Sequence, residues 1–201
     1  TFVSLGLVAT AAAGLVQEHI DVHGPESLLP QSKEPFTYAE LAGMLHLATG
    51  TVVAFSGGTI VVGDNLEWQG VVVFICLFCT MGCRKEAIAI GVGEVFVHGR
   101  KLSLASATYV LGALITRAPT RVQRLAMTWG DMLYVHPGCC KNDPTGTRYG
   151  NSPVPSAFHA TRLINLAREL NKYELMREVP PDTRRLEPLV LGPGGRSWTN
   201  K

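Results

Sequence analysis

Charged residues are so widely spaced in the front half of this chain that the gaps between them define its elements. Leu41–Cys83 carries only two ionised residues, Asp64 and Glu67, and the runs Leu41–Val62 and Thr1–Gln17 carry none. Thr1–Glu18, with its Ala9–Ala13 core of small residues, predicts a helix close to the minimum length for crossing a bilayer. Asp21–Pro35 holds three prolines and reads as a loop. Thr37-Tyr38-Ala39-Glu40 forms a capping box, in which the Thr hydroxyl accepts the Glu40 amide and the Glu carboxylate bonds back. It predicts a helix over about Tyr38–Thr49, stopped by Gly50 or running on to Val62.

Helix and strand compete over residues 51–63. The β-branched runs Thr51–Ser56 and Thr59–Gly63 flank Gly57-Gly58, a two-residue hairpin signal, while unbroken apolarity favours a helix; the reading takes the helix. Leu66–Cys83 is a second apolar block, with Trp68 near its start and Arg84-Lys85 after it. That is the arrangement of a membrane-interface helix, and a buried core helix fits it equally. Leu102–Thr116 is a third uncharged block, and Thr120–Val135 looks amphipathic. His136–Pro155, with four prolines and three glycines, is a loop. Ser156 then caps an amphipathic helix to about Glu178, with Phe158, Leu163, Ile164, Ala167, Leu170 and Leu175 on its apolar stripe. Residues 179–201 contain four prolines and read as an extended arm docked on a neighbour, the alternative being a tail folded back on its own domain.

These elements predict a mostly α fold. It is a bundle of apolar helices, one to three of them candidate membrane spans, with an extended Pro/Gly-rich C-terminal arm. The expected divisions are an apolar helical domain over 1–135, a loop over 136–155, an amphipathic helix over 156–178 and the arm over 179–201.

Composition sharpens this in one respect. Only 17% of residues are charged, against about 25% in ordinary soluble domains, so much uncharged surface has to be covered by lipid or protein. The charge is also divided. Residues 1–83 sum to −6 and residues 84–201 to +8, which makes the rear a candidate surface for nucleic acid, anionic lipid or an acidic protein. The chain begins with Thr1 and shows no basic segment ahead of its first apolar run. A cleaved targeting segment or a fragment fits this beginning.

No motif identifies a reaction. Cys76, Cys79 and Cys83 recur at helical spacing within an apolar block, where thiols usually serve as small core residues; a metal would need His136, Cys139 or Cys140 as a further ligand. Five cysteines do not complete a disulfide framework. His46 stands alone in an uncharged run, as a hydrogen-bonded core residue or, in a pigment protein, as a ligand. Ser56-Gly57-Gly58 lacks the residues that precede a protease nucleophile, and Gly91-Val92-Gly93 lacks a dinucleotide-binding setting. Arg117, Arg121 and Arg124 share a helical spacing, and with Arg184 and Arg185 they are the candidate partner-binding residues.

Three segments, in order, resemble the chlorophyll-binding light-harvesting proteins of algae. Gly14-Leu15-Val16-Gln17-Glu18 with His23-Gly24-Pro25 is similar to the end of that family's first membrane helix. Phe36-Thr37-Tyr38-Ala39-Glu40-Leu41 with Val52-Val53-Ala54-Phe55-Ser56-Gly57 is similar to the approach to its middle helix. His98-Gly99-Arg100 resembles its pigment-ligand signature, although Glu94 lies four residues before His98 where the family places a glutamate three before. The resemblance implies chlorophyll as a cofactor, His98 as a magnesium ligand and Arg100 paired with an acid on another helix.

The expected role is a non-enzymatic structural or accessory subunit of a membrane-associated complex, thylakoid or inner mitochondrial. Its apolar helices and C-terminal arm would contact protein subunits and lipid. The alternative is a viral coat or nucleocapsid protein, with Arg121, Arg124, Arg184 and Arg185 facing nucleic acid. An enzyme with an unfamiliar site is the remaining class.

Overall fold

The computed structural model describes residues 37–55, 58–81, 87–91, 94–138, 145, 152–158 and 164–200. The expected helix Thr1–Glu18, the loop Asp21–Pro35, and Cys83, Cys139 and Cys140 lie outside them. All but Thr37 belong to one unit, Tyr38–Lys201.

The fold mixes helices and strands, which corrects the expected helical bundle. Helix α1 (Tyr38–Met44) starts where the Thr37 capping box predicts and is short. Next come strands β1 (Val52–Phe55) and β2 (Gly58–Val61), paired antiparallel with Val53 opposite Ile60. The helix favoured over this stretch is therefore a hairpin: β-branched side chains suit a pleated surface, and Gly58 has φ +144 beside the turn.

Helix α2 (Leu66–Met81) occupies the centre. Asn65 caps it, its Oδ1 accepting the Trp68 amide at 2.8 Å. Trp68, Gln69, Gly70, Val71, Val72, Val73, Ile75, Cys76 and Leu77 are all buried, so the helix is apolar nearly all round and covered by protein. No helix among the described residues is long and apolar enough to cross a membrane.

The third uncharged block and the amphipathic stretch after it both contain strands. After the two-residue strand β3 (Ile90–Gly91), Leu104–Ser106 makes one 3-10 turn. Strands β4 (Ala107–Leu111) and β5 (Leu114–Thr116) then form a tight hairpin. Gly112, φ +60, is the first of its two turn residues, a position that suits glycine. A one-turn helix α3 (Arg121–Leu125) follows, held by a reciprocal Thr120–Gln123 capping box, and then β6 (Met132–Val135) and β7 (Val154–Ala157). The antiparallel sheet runs β5-β4-β6-β7. Ala107, Tyr109, Leu133 and Val135 alternate onto its buried face.

Helix α4 (Leu166–Arg177) begins nine residues later than Ser156 predicts, because Ser156 is committed to β7 opposite Leu133. Asn165 is its N-cap, accepting the Arg168 amide at 3.0 Å. The helix ends at Glu178 in the left-handed region, φ 48, before Val179-Pro180.

The C-terminal segment is folded onto its own chain, which corrects the expected extended arm. Leu189 and Val190 are fully buried, and the Leu189 amide donates to Leu102 O at 2.9 Å. Trp198 stacks on Phe74 at 6.1 Å between ring centroids, and β8 (Thr199–Asn200) pairs in parallel with β3. The prolines stop the segment from building a sheet or helix of its own. Its apolar residues are then buried only by filling the surface that α2 and α4 leave open.

Candidate functional site

The charged residues of α3, α4 and the 179–187 turn converge on one carboxylate. Glu174, on the inner face of α4, takes the Tyr109 hydroxyl at 2.6 Å on Oε1 and the Arg184 Nη2 at 3.2 Å on the same oxygen. Its Oε2 accepts from both Arg124 Nη2 and Arg184 Nη1. Arg184 Nη2 also donates to Leu104 O at 2.9 Å, and the Arg124 guanidinium lies over the Tyr109 ring at 5.0 Å. The three charged side chains are almost wholly enclosed, with Arg124 7% and Arg184 4% exposed.

Two guanidinium groups on one carboxylate leave a buried positive charge. Tyr109 does not offset it: burial first, then the Glu174 charge, pushes the phenol well above its ordinary value, so it stays neutral and donates. Two donors in the cluster, Arg124 Nη1 and Arg184 Nε, have no hydrogen-bond partner among the described residues.

A cleft of about 300 Å³ opens onto this cluster. Pro119, Leu175, Val179, Pro180 and Pro181 supply apolar walls, and Arg124, Glu174 and Arg184 lie among its lining residues. Arg121 and Glu178, 60% and 62% exposed, form an ion pair at the outer edge.

Of the five arginines singled out by sequence, Arg121, Arg124 and Arg184 therefore meet at one cleft. Arg117 and Arg185 are exposed and lie toward His98, and no partner for either is found among the described residues. The residues that sequence reasoning missed are Glu174 and Tyr109. Glu174 lies in the predicted amphipathic helix but outside its apolar stripe, and Tyr109 lies in the third uncharged block.

His98 lies in a turn, exposed, with its Nδ1 2.6 Å from Ser103 Oγ. Partial burial, then Arg185 and Arg117, lowers its pKa. His136 sits 3.4 Å from Thr108 Oγ1 and is lowered by burial and then by Arg117. Arg100 is exposed in the same turn as His98. His46 is exposed near the end of α1 and lies away from the cleft lining. Burial pushes the Cys76 thiol up to about 12, which makes it a poor nucleophile or metal ligand. No group of His, Cys, Asp or Glu able to hold a metal is found among the described residues.

The chain matches no protein-family model, no curated protein and no solved structure.

Proposed function

We propose that this chain is a non-enzymatic accessory subunit of a multisubunit assembly, held at a thylakoid or inner mitochondrial membrane through its protein neighbours. The observation that supports this reading is an apolar surface around β5 and α3. Ile115, Val122, Leu125 and Trp129 are 70%, 76%, 65% and 61% exposed. Asp131 ties the two parts together, accepting from the Gly112 amide at 3.1 Å and from the Thr128 amide at 2.7 Å. The β4–β5 turn is thereby fixed beside the turn that carries Trp129. So many large apolar side chains in water are unfavourable by roughly 25 cal/mol per Å² until a partner covers them. Strand β5 ends the sheet and pairs only with β4 among the described residues, which adds an open backbone edge to the same surface.

Native electrophoresis of the tagged chain, isolated in mild detergent from its own cells, tests the proposal. The expected result is a species several times heavier than the 21.7 kDa chain. An Ile115→Lys, Trp129→Glu double variant should fall back to the monomer with unchanged circular dichroism. A wild-type chain that migrates alone sinks the reading. The absorption spectrum of the same material tests the pigment association that the algal resemblance implies. Nucleic acid released by salt would favour the coat-protein alternative. Of the four arginines that alternative uses, however, Arg124 and Arg184 are buried on Glu174 and Arg121 pairs with Glu178.

A further inference from the structure

We infer that the corner where His98, Arg117, His136 and Arg185 meet binds a doubly charged phosphate group, of the kind a phosphate monoester carries. This inference is independent of the subunit reading and of the Glu174 cluster.

Backbone geometry brings the four residues together from four separate segments. The His98 turn lies against the chain that follows β6, where a Cβ at Gly138 would stand 2.7 Å from Gly99 O. The His136 amide donates to Ser106 O at 2.9 Å, and its ring lies 3.4 Å from Thr108 Oγ1. Strand β5 pairs Thr116 with Tyr109, so Arg117 leaves the strand beside Thr108. Ser103 bridges to Pro188, and the Ala105 amide donates to Arg184 O at 3.3 Å, which lays Arg185 alongside the segment that follows the His98 turn. The electrostatics report the same neighbourhood, with Arg117 acting on both histidines and Arg185 on His98.

The donors of this corner are open to solvent. Arg117, Arg185 and His98 are exposed and His136 is half-buried. His98 uses Nδ1 toward Ser103 Oγ and His136 uses Nε2 toward Thr108 Oγ1, so each ring has its other nitrogen to offer. Arg100 on the His98 turn and Tyr134 on β6 are the other ionisable groups nearby in these segments. Acids of the same segments are engaged elsewhere: Glu94 pairs with Lys101 at 3.6 Å, Glu187 pairs with Arg177, and Asp131 takes the Gly112 and Thr128 amides. Asp182 is exposed in the turn before Arg184, and the charges that act on the two histidines are arginines alone.

Charge selects the ligand class. Burial and the arginines hold both histidines below 6.5, so at neutral pH they are uncharged. Arg117 and Arg185 then supply two positive charges that no partner offsets among the described residues. A phosphate monoester brings a charge of about −1.5 to −2 at neutral pH and three strong acceptor oxygens. Guanidinium groups suit those oxygens, donating paired N–H bonds to them. A bound dianion opposes the effect of the arginines and favours the charged imidazoles, so it raises the pKa of His98 and His136 together.

Nuclear magnetic resonance titration of the chain with inorganic phosphate, against sodium chloride at matched ionic strength, tests the assignment. Phosphate should shift the imidazole resonances of His98 and His136 saturably and raise both pKa values further than chloride does. Arg117→Gln and Arg185→Gln should each weaken binding roughly tenfold, because each removes a charge-assisted contact from an exposed side chain. Lys172→Gln removes the same charge from the α4 pair with Asp64 and should leave binding unchanged. Phosphatidic acid vesicles identify the source of the group. Sedimentation with them that free phosphate reverses places it on a lipid, and phosphate binding without sedimentation places it on a soluble ligand. No saturable shift, shifts that chloride reproduces, unchanged histidine pKa values, or equal weakening by Lys172→Gln overturns the assignment.

Discussion

His98 and His136 occupy a corner where Arg117 opposes their protonation, with Arg185 acting on His98 as well. Burial acts in the same direction and is the larger cause for both. A folded-state pKa below the ordinary 6.5 means that the unfolded chain binds more protons in the window between the two values. Stability from this corner is therefore complete above about 6.5 and is lost as the pH falls through the lowered folded value. A His98→Gln, His136→Gln variant should show a shallower fall in melting temperature between about pH 7 and about pH 5 than the wild type. Equal slopes would place the acid sensitivity elsewhere. The arginines nearby show how little of this scale spacing alone can settle. Arg121 and Arg124 suit one face of a helix, yet Arg121 is 60% exposed and Arg124 only 7%. Helix α3 is a single turn, and Arg124 leaves it toward Glu174, fifty residues away in sequence.

At the scale of elements, the contact between α2 and the C-terminal segment depends on Gly70. A Cβ there would stand 2.8 Å from Leu191 O and 3.5 Å from Tyr173 Cε2. The Leu191 amide is itself held by the Tyr173 hydroxyl at 2.9 Å, so that backbone has little room to yield. Gly70→Ala gains about 1 kcal/mol in helix propensity, while overpacking typically costs about 1–3 kcal/mol. The expected outcome is a lower urea midpoint with an unchanged m-value. An equal or higher midpoint would show that the tail can shift. Element boundaries were legible where a side chain meets its own backbone. Helix α1 begins at Tyr38, directly after Thr37, and Asn65 caps α2 through its own side chain. They were illegible where another strand decides. Ser156 reads as a helix cap, but β6 holds it in a strand, and its hydroxyl accepts the Ala167 amide at 3.2 Å instead.

At the scale of the molecule, the C-terminal segment is a wall of the core. Leu189 and Val190 are wholly buried, and the Gly194 amide donates to Glu67 Oε1 at 2.6 Å. Burying two such side chains is worth about 3–6 kcal/mol, a large share of the roughly 5–15 kcal/mol that stabilises a typical domain. A chain ending at Glu187 should lose cooperative thermal unfolding and near-ultraviolet dichroism. Retention of both would show the segment to be an accessory strap. The sequence by itself determined that Leu66–Cys83 had to be covered, that the proline-rich tail could not form a core alone, and that a helix begins beside Thr37. These follow from solvation and local hydrogen bonding, which the chain carries at each position. Tertiary structure decided that protein covers α2, that residues 52–61 form a hairpin and that Glu174 gathers Tyr109, Arg124 and Arg184. An unbroken apolar run has lost the period that separates helix from strand, and a buried ion pair joins residues whose distance along the chain says nothing of their distance in space.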